Sequence, residues 1–328
     1  MSSIKTKSKN KRTIHRIRVV GSLAIDRIMT YSDLFGNKIF PEYINNLNVS
    51  FLLNTFKEQR GGTAGNIAYT LALLGEKPEI IASVGTDYIQ HLKDLRKYGI
   101  NTAMVEVKND ESSPCATIIT DKNNNQITGF YEGAMKHPVY IDFKQLEGLQ
   151  GSIFIITAGN TDDMVYQAKQ CKNYNIPTVV DIGQQISALS NKKLKMLINR
   201  ATFCTMNEYE YFVLCDRLGI KEDKLLKMVG TLVVTKDERG CVLKNKKEEI
   251  NILPCSVKNV VDPTGCGDAY RAGLVKGYVS GCTLQQIGRL ASVAASYALE
   301  VVGTQKHFFT ASDFAKRYKK SYNETCPI

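Results

Sequence analysis

Residues 260–275, VVDPTGCGDAYRAGLV, decide how the rest of the chain is read. Two β-branched residues, Val260 and Val261, close a short apolar run and predict an extended segment. Asp262, Pro263 and Thr264 lead into two glycines, Gly265 and Gly267, and then an acid, Asp268. Ala269, Ala272, Gly273 and Val275 follow at helical spacing, so the stretch predicts a tight glycine turn opening a helix. Glycines let bare backbone approach an anion, and the first turn of a helix offers that anion unpaired N–H groups. Asp268 stands at the mouth of this turn, where a carboxylate can take a proton from a hydroxyl while amides hold phosphoryl charge. The same pattern also serves as an ordinary helix cap. The chain must therefore supply a second half of the site.

The second anchor is 60–74, RGGTAGNIAYTLALL. Gly61, Gly62 and Gly65 predict a flexible turn, and Asn66 is placed to open a helix packed by Ile67 and 69–74. Close glycines would let ligand hydroxyls lie against the backbone, with the Asn66 amide both donating and accepting. Asn66 as a plain N-cap is the alternative. Before it, 17–23 (IRVVGSL) predicts a buried first strand running into Ser22 and, a little further on, Asp26. Ligands of open α/β sheets sit at that end of a strand.

Further along, 80–84, 153–157, 178–181, 203–206 and 232–235 are short apolar runs that predict strands. Helical patterns at 87–97, 162–174, 192–199, 208–214 and 222–229 alternate with them. This alternation predicts a parallel sheet with helices on both faces. A hairpin is expected where 115–120 and 126–131 flank DKNNN at 121–125, with Phe130 and Tyr131 at its end, either as core or stacked on a flat ring. Asn207 and Glu210 follow one strand and suit either a capping box or a hydrated magnesium shared with phosphates. TKDERG, from Thr235 to Gly240, suits a phosphate loop or a β-turn. The small-residue helix at 284–299 permits close packing against a second helix or an adenine ring.

Composition bounds the answer from outside. The 328 residues are 43% hydrophobic and 23% charged, a globular balance. No apolar run is long enough for a membrane span, and no secretory signal is present. Nine scattered cysteines without a CxxC pair argue for free thiols, a cytoplasmic setting and no zinc site. Cys266, inside the glycine turn, is the one to watch. The net charge of +11 owes +7 to Lys5, Lys7, Lys9, Lys11, Arg12, Arg16 and Arg18, so it reads as a basic tail rather than a nucleic-acid surface. There is no GxxxxGK[ST], no GxGxxG after a strand, no protein-kinase signature set and no GxSxG elbow.

Assembled, GGTAGN and then DPTGCGD resemble the two signatures of the ribokinase (PfkB) family of ATP-dependent sugar and nucleoside kinases, over nearly all of 17–314. The resemblance implies a three-layer αβα domain with a central, mostly parallel sheet and a small β-sheet lid. It implies a basic, disordered tail over 1–13, a kinase domain over 14–320 with lid segments near 27–58 and 103–135, and a C-terminal tail over 321–328. It makes Asp268 the general base and gives the anion hole to the amides of Gly265, Cys266 and Gly267. Ser22, Asp26, Gly61, Gly62 and Asn66 fall on the acceptor side. Asn207, Thr235, Gly240, Thr264 and Gly265 fall on the ATP side, with Glu210 reaching Mg²⁺ through water. A monovalent cation is compatible with the family, and the oligomeric state, monomer or homodimer, is left open.

The family loop usually reads DTxGAGD; here Pro263 and Cys266 depart from it, and Asp237 stands where the ATP loop often has glycine. Thr63–Ala64 inside the first signature, the apolar NVSFLL of 48–53 and the aromatic-bearing 123–135 resemble the bacterial adenosine-kinase-like branch. A flat aromatic lid suits a purine, with Phe130 as the stacking residue. The expected ligands are ATP, Mg²⁺ and a nucleoside, adenosine first. A sugar or sugar-phosphate acceptor, and a nucleotide-binding regulator without turnover, are the alternatives. No membrane or nucleic-acid partner is expected.

Overall fold

The structure is a computed structural model describing residues 14–328. The tail expected over 1–13 lies outside the described residues. β1 (Arg16–Val20) leads into two strands of a small sheet, β2 (Ala24–Tyr31) and β3 (Leu53–Gly61). α1 (Thr63–Leu73), β4 (Glu79–Gly85), α2 (Ile89–Lys97) and β5 (Asn101–Lys108) follow, and the chain returns to the small sheet as β6 (Cys115–Thr120) and β7 (Gln126–Tyr131). Next come β8 (Ser152–Ile156), α3 (Thr161–Asn173), β9 (Thr178–Asp181), α4 (Asn191–Ile198), β10 (Phe203–Asn207), α5 (Glu208–Leu218), α6 (Glu222–Met228) and β11 (Thr231–Thr235). An antiparallel pair, β12 (Cys241–Lys244) and β13 (Glu249–Ile252), precedes α7 (Cys266–Val279), α8 (Leu284–Leu299) and α9 (Ala311–Tyr322).

The large sheet has nine strands in the order β13-β12-β11-β10-β9-β8-β1-β4-β5, and the small one has the order β3-β2-β6-β7. Strands β4, β8 and β9 are buried along their whole length, as central parallel strands covered on both faces must be. Their side chains alternate between two cores. Val19, Ile80, Ile155 and Val179 meet α1, α7 and α8, whereas Val20, Ile81, Phe154 and Val180 meet α3 to α6. The chain runs one way from β1 to β4 and the other way from β8 to β9, so the sheet reverses its winding between β1 and β8. Ligand crevices of open α/β sheets open at such a point, beyond the carboxyl ends of the strands.

Several expectations are corrected by long-range packing. Val260 and Val261 form no strand; both are exposed and have no sheet edge to pair with, Val261 N–H going instead to Leu299 O. β5 joins the large sheet beside β4, so the second lid segment contains only β6 and β7. The tail expected from 321 is docked: α9 runs to Tyr322, and Glu324 accepts from Gln286 and Arg289. Arg16 and Arg18, counted with the basic tail, belong to β1. Arg18 is fully buried, its Nε 2.9 Å from Glu79 Oε2, and the two residues are register partners across β1 and β4. The small residues of α8 do allow close helix packing, since a Cβ on Gly273 of α7 would come within 2.7 Å of Ala291 Cα.

One buried acid gives a stability prediction. Asp163, in the first turn of α3, is 5% exposed; its Oδ1 accepts from Val139 N–H at 2.6 Å, and burial pushes its pKa up to about 7. A carboxyl raised above its unfolded value stabilises fully only below that unfolded value, near 3.8, and loses the contribution as pH rises through about 7. Asp163→Asn keeps an acceptor for Val139 and removes the charge. The variant is expected to gain stability progressively between pH 4 and 7, by an amount on the order of a few kcal/mol at pH 8, seen as a raised melting temperature, and to gain nothing near pH 4. Thermal melts across that range check it; equal melting curves at pH 8 would overturn it.

Candidate active site

The expected residues come from four segments that meet at the carboxyl edge of the large sheet. β3 ends in Gly61, paired with Ala24 of β2. A Cβ on Gly61 would lie 2.1 Å from Asp26 Oδ2, so this glycine leaves room for the Asp26 carboxylate. Gly62 has φ +87° and its missing Cβ would lie 2.5 Å from Ser22 O, so only glycine fits there. Ser22, expected on the acceptor side, has its Oγ accepting from Thr63 N–H at 3.1 Å, which holds the start of α1. Asp26 is the third residue of β2, and burial alone pushes its pKa up to about 6.

Asn66 is not a cap. α1 begins at Thr63, with Gly62 at the N-cap, and Asn66 lies buried in the first turn. Its Nδ2 donates to Asp268 Oδ2 at 2.8 Å while its Oδ1 accepts from Gln305 Nε2 at 3.0 Å. Gln305 belongs to a loop that closes the site from above: Thr304 Oγ1 donates to Arg60 O, and Gly303 N–H donates to Asp262 Oδ2. The opposite oxygen of Asp262 accepts from Thr264 N–H at 2.9 Å, which shapes the entry to the glycine turn.

α7 opens as the glycines predicted, with Gly265 at the N-cap in the left-handed region, φ +78°. The turn closes on Cys266 N–H donating to Pro263 O at 3.1 Å. Of the three amides expected at the anion hole, that of Cys266 is engaged by the turn, while those of Gly265 and Gly267 have no acceptor among the described residues. Burial pushes the Cys266 thiol up to about 11, so it is a protonated, unreactive neighbour at neutral pH. Asp268 is 7% exposed, and burial, with Asp181 and Asp26 nearby, pushes its pKa up to about 6 against the opposing pull of Arg271 and the Asn66 amide.

Arg271, Asp181, Gln305 and Asp262 carry this centre and escaped the sequence reading. The Arg271 Nε lies 2.8 Å from Asp181 Oδ2, and its Nη1 lies 3.6 Å from Asp268 Oδ1. The available signals were an arginine three residues after Asp268 in a helix start of small residues, and an acid ending the TVVD strand.

On the other side of the turn, Asn207 and Thr235 are register partners at the carboxyl ends of β10 and β11. Gly240 has φ +82°, and a Cβ there would lie 2.0 Å from Ile252 O. Asp237 takes φ +49°, a left-handed backbone that explains why glycine suits this position. Asn207 and Glu210 form a reciprocal capping box, with Asn207 Oδ1 accepting from Glu210 N–H and Glu210 Oε2 accepting from Asn207 N–H. Glu210 Oε1 has no hydrogen-bond partner among the described residues, and no three His, Cys, Asp or Glu side chains there form a metal cage. That donor set fits Mg²⁺ held mainly by phosphates and water, with one carboxylate at second hand.

The small sheet stands over this edge. Gln59, Asp26, Ala116 and Phe130 are register partners across its four strands. They share one face, so Phe130 lies two strands from Asp26 on the same side, roughly 10 Å away, and is half exposed.

The model of pfkB family carbohydrate kinases matches residues 15–310. A nucleoside kinase of Methanocaldococcus jannaschii is 32% identical over 314 residues, covering 94% of this chain and 98% of that protein. The solved nucleoside kinase of Burkholderia thailandensis in complex with inosine is similar with a TM-score of 0.85 at 30% identity, over 94% of this chain and 98% of that one. Its complex with ADP-inosine gives 0.82 at 31% identity, over 94% and 97%. No helix among the described residues is long and apolar enough to cross a membrane.

Proposed function

The chain belongs to the pfkB family of carbohydrate kinases, and on that premise we propose that it transfers the γ-phosphoryl group of ATP to the 5′-hydroxyl of a purine nucleoside. The observation that carries this reading is the meeting of Asp26, Asn66 and Asp268 beside a helix-opening glycine turn with unpaired amides. Asp268 takes the hydroxyl proton, the freed oxygen bonds to the γ-phosphorus, and the bond to the β–γ bridging oxygen breaks in line, releasing ADP. The amides of Gly265 and Gly267 face the charge that develops on the phosphoryl oxygens. Mg²⁺, when bound with the phosphates, offsets their charge, and Glu210 would reach it through water. Asp26 accepts sugar hydroxyls, and Phe130 stacks on the base from the lid.

Similarity to two nucleoside kinases supports a nucleoside over a bare sugar. Adenosine is the acceptor expected from the sequence, and inosine, the ligand of the Burkholderia complex, is the second. ADP release from MgATP tests this with adenosine, inosine, guanosine, ribose and fructose offered singly. The expected result is a purine nucleoside with the highest kcat/KM, and a Phe130→Ala variant whose nucleoside KM rises about tenfold while any ribose KM stays unchanged. Ribose or fructose ahead of every nucleoside would overturn the acceptor. ATP binding without turnover on any acceptor would overturn the kinase.

A further inference from the structure

Three carboxylates converge at the glycine turn: Asp268 on α7, Asp181 ending β9 and Asp26 on β2, with the Cys266 thiol beside them. A single guanidinium, that of Arg271, stands 2.8 Å from Asp181 and 3.6 Å from Asp268, with Glu210 of α5 adding its field. Asp181 Oδ2 also accepts from Thr157 Oγ1 at 2.9 Å, while Asp181 Oδ1 is buried without a partner. Arg–carboxylate pairs frequently close as a fork on both oxygens. Here the guanidinium meets Asp181 through Nε alone, as an ion contact without hydrogen-bond geometry, and its Nη1 edge lies along the turn, 2.7 Å from where a Gly267 Cβ would stand. Nη1 therefore faces Asp268 Oδ1, while Asn66 holds Asp268 Oδ2.

Resting on the phosphotransfer reading above, we propose that Arg271, anchored by Asp181, is a positioning residue for Asp268 that keeps the base ionised in its dry, acidic surroundings. The 3.6 Å separation matters to this role. It is close enough for strong attraction at low dielectric, while lying beyond hydrogen-bond distance, so the attraction acts as charge rather than as a fixed bond to Oδ1. Oδ2 is fixed by an amide and Oδ1 is left charged and open. Asp181 works in the opposite sense on Asp268: as a neighbouring negative charge it disfavours ionisation, and it draws the guanidinium toward itself.

Two single substitutions therefore have opposite expected signs. In Arg271→Gln the acid limb of kcat moves up by at least one pH unit, so turnover lost at pH 7 is largely recovered at pH 9. Asp181→Asn keeps an acceptor for Thr157 and moves the same limb down. A general structural loss would lower kcat at every pH and shift neither limb. Limbs that stay in place, or that move the same way, overturn the proposal; should Arg271→Gln fail to fold, Arg271→Met, which keeps the apolar stem and removes the charge, is expected to move the limb up in the same way, and an unmoved limb there overturns the proposal. The parent protein's turnover with a nucleoside tests the underlying reading. If it phosphorylates nothing, that reading has failed, and the Asp268 carboxyl titration followed by ¹³C NMR in the same variants still decides whether Arg271 governs this acid.

Discussion

Replacing Asp268 with asparagine is expected to lower turnover by roughly 10²–10⁴-fold while nucleoside affinity changes less than threefold. The substitution is nearly isosteric, and the asparagine oxygen can still accept from Asn66 Nδ2, now 2.8 Å from Asp268 Oδ2. Gly265 and Gly267 keep their unpaired amides, and Asp26 is untouched. What disappears is a group able to receive the hydroxyl proton as the phosphoryl group arrives. The residual rate is set by positioning and by the amides alone. In the parent protein Asp268 is pushed up to about 6, and a base acts only when ionised. Its kcat should therefore fall as pH drops through about 6, and this limb should be missing from the asparagine variant. Steady-state kinetics from pH 5 to 9, with nucleoside binding measured by calorimetry, check both statements. Undiminished turnover in Asp268→Asn would remove Asp268 from the chemistry altogether.

What could be read from the sequence follows from the range over which each residue is constrained. Gly62 and Gly265 were legible because their backbones sit in the left-handed region, a local demand that glycine meets. The alternation of short apolar runs with helical patterns was legible because strands buried on both faces need continuous β-branched and aliphatic side chains. For Asn66 the sequence left a ligand-holding amide and a cap as alternatives, because the partners that exclude the cap, Asp268 and Gln305, lie 202 and 239 residues away. Arg18 was counted with a solvated tail because its partner, Glu79, is found only when β1 pairs with β4. Val260 and Val261 carry β-branched side chains but lie where no strand edge is available, so propensity alone placed a strand that pairing does not supply. Arg271 and Asp181 illustrate the same limit, since each looks ordinary until α7 is laid against the end of β9.

Asp26→Ala is the second large effect: nucleoside KM is expected to rise by about 10²-fold or more, with kcat changed much less. Asp26 makes no side-chain hydrogen bond and no ion pair among the described residues, yet burial raises its pKa to about 6, so at pH 7 it is an ionised carboxylate with little solvent and no cation. Such a group is costly unless donors reach it, and the two neighbouring hydroxyls of a ribose ring supply two. Hydrogen bonds to a charged acceptor contribute roughly 1.5–3 kcal/mol each, which sets the scale of the loss. The pH dependence has a definite sign. Donors favour the ionised form and pull its pKa down, so binding should tighten as pH rises through about 6 and should release a proton near that pH. Calorimetry in buffers of different ionisation enthalpy reads that proton directly. Gly61→Ala is expected to reproduce the Asp26 phenotype with Asp26 still present, because the new Cβ would occupy the space 2.1 Å from its Oδ2 and force the carboxylate aside. A nucleoside KM within threefold of the parent in Asp26→Ala would place the sugar elsewhere, and the glycine pair would then be explained by the backbone of β3 and α1 alone.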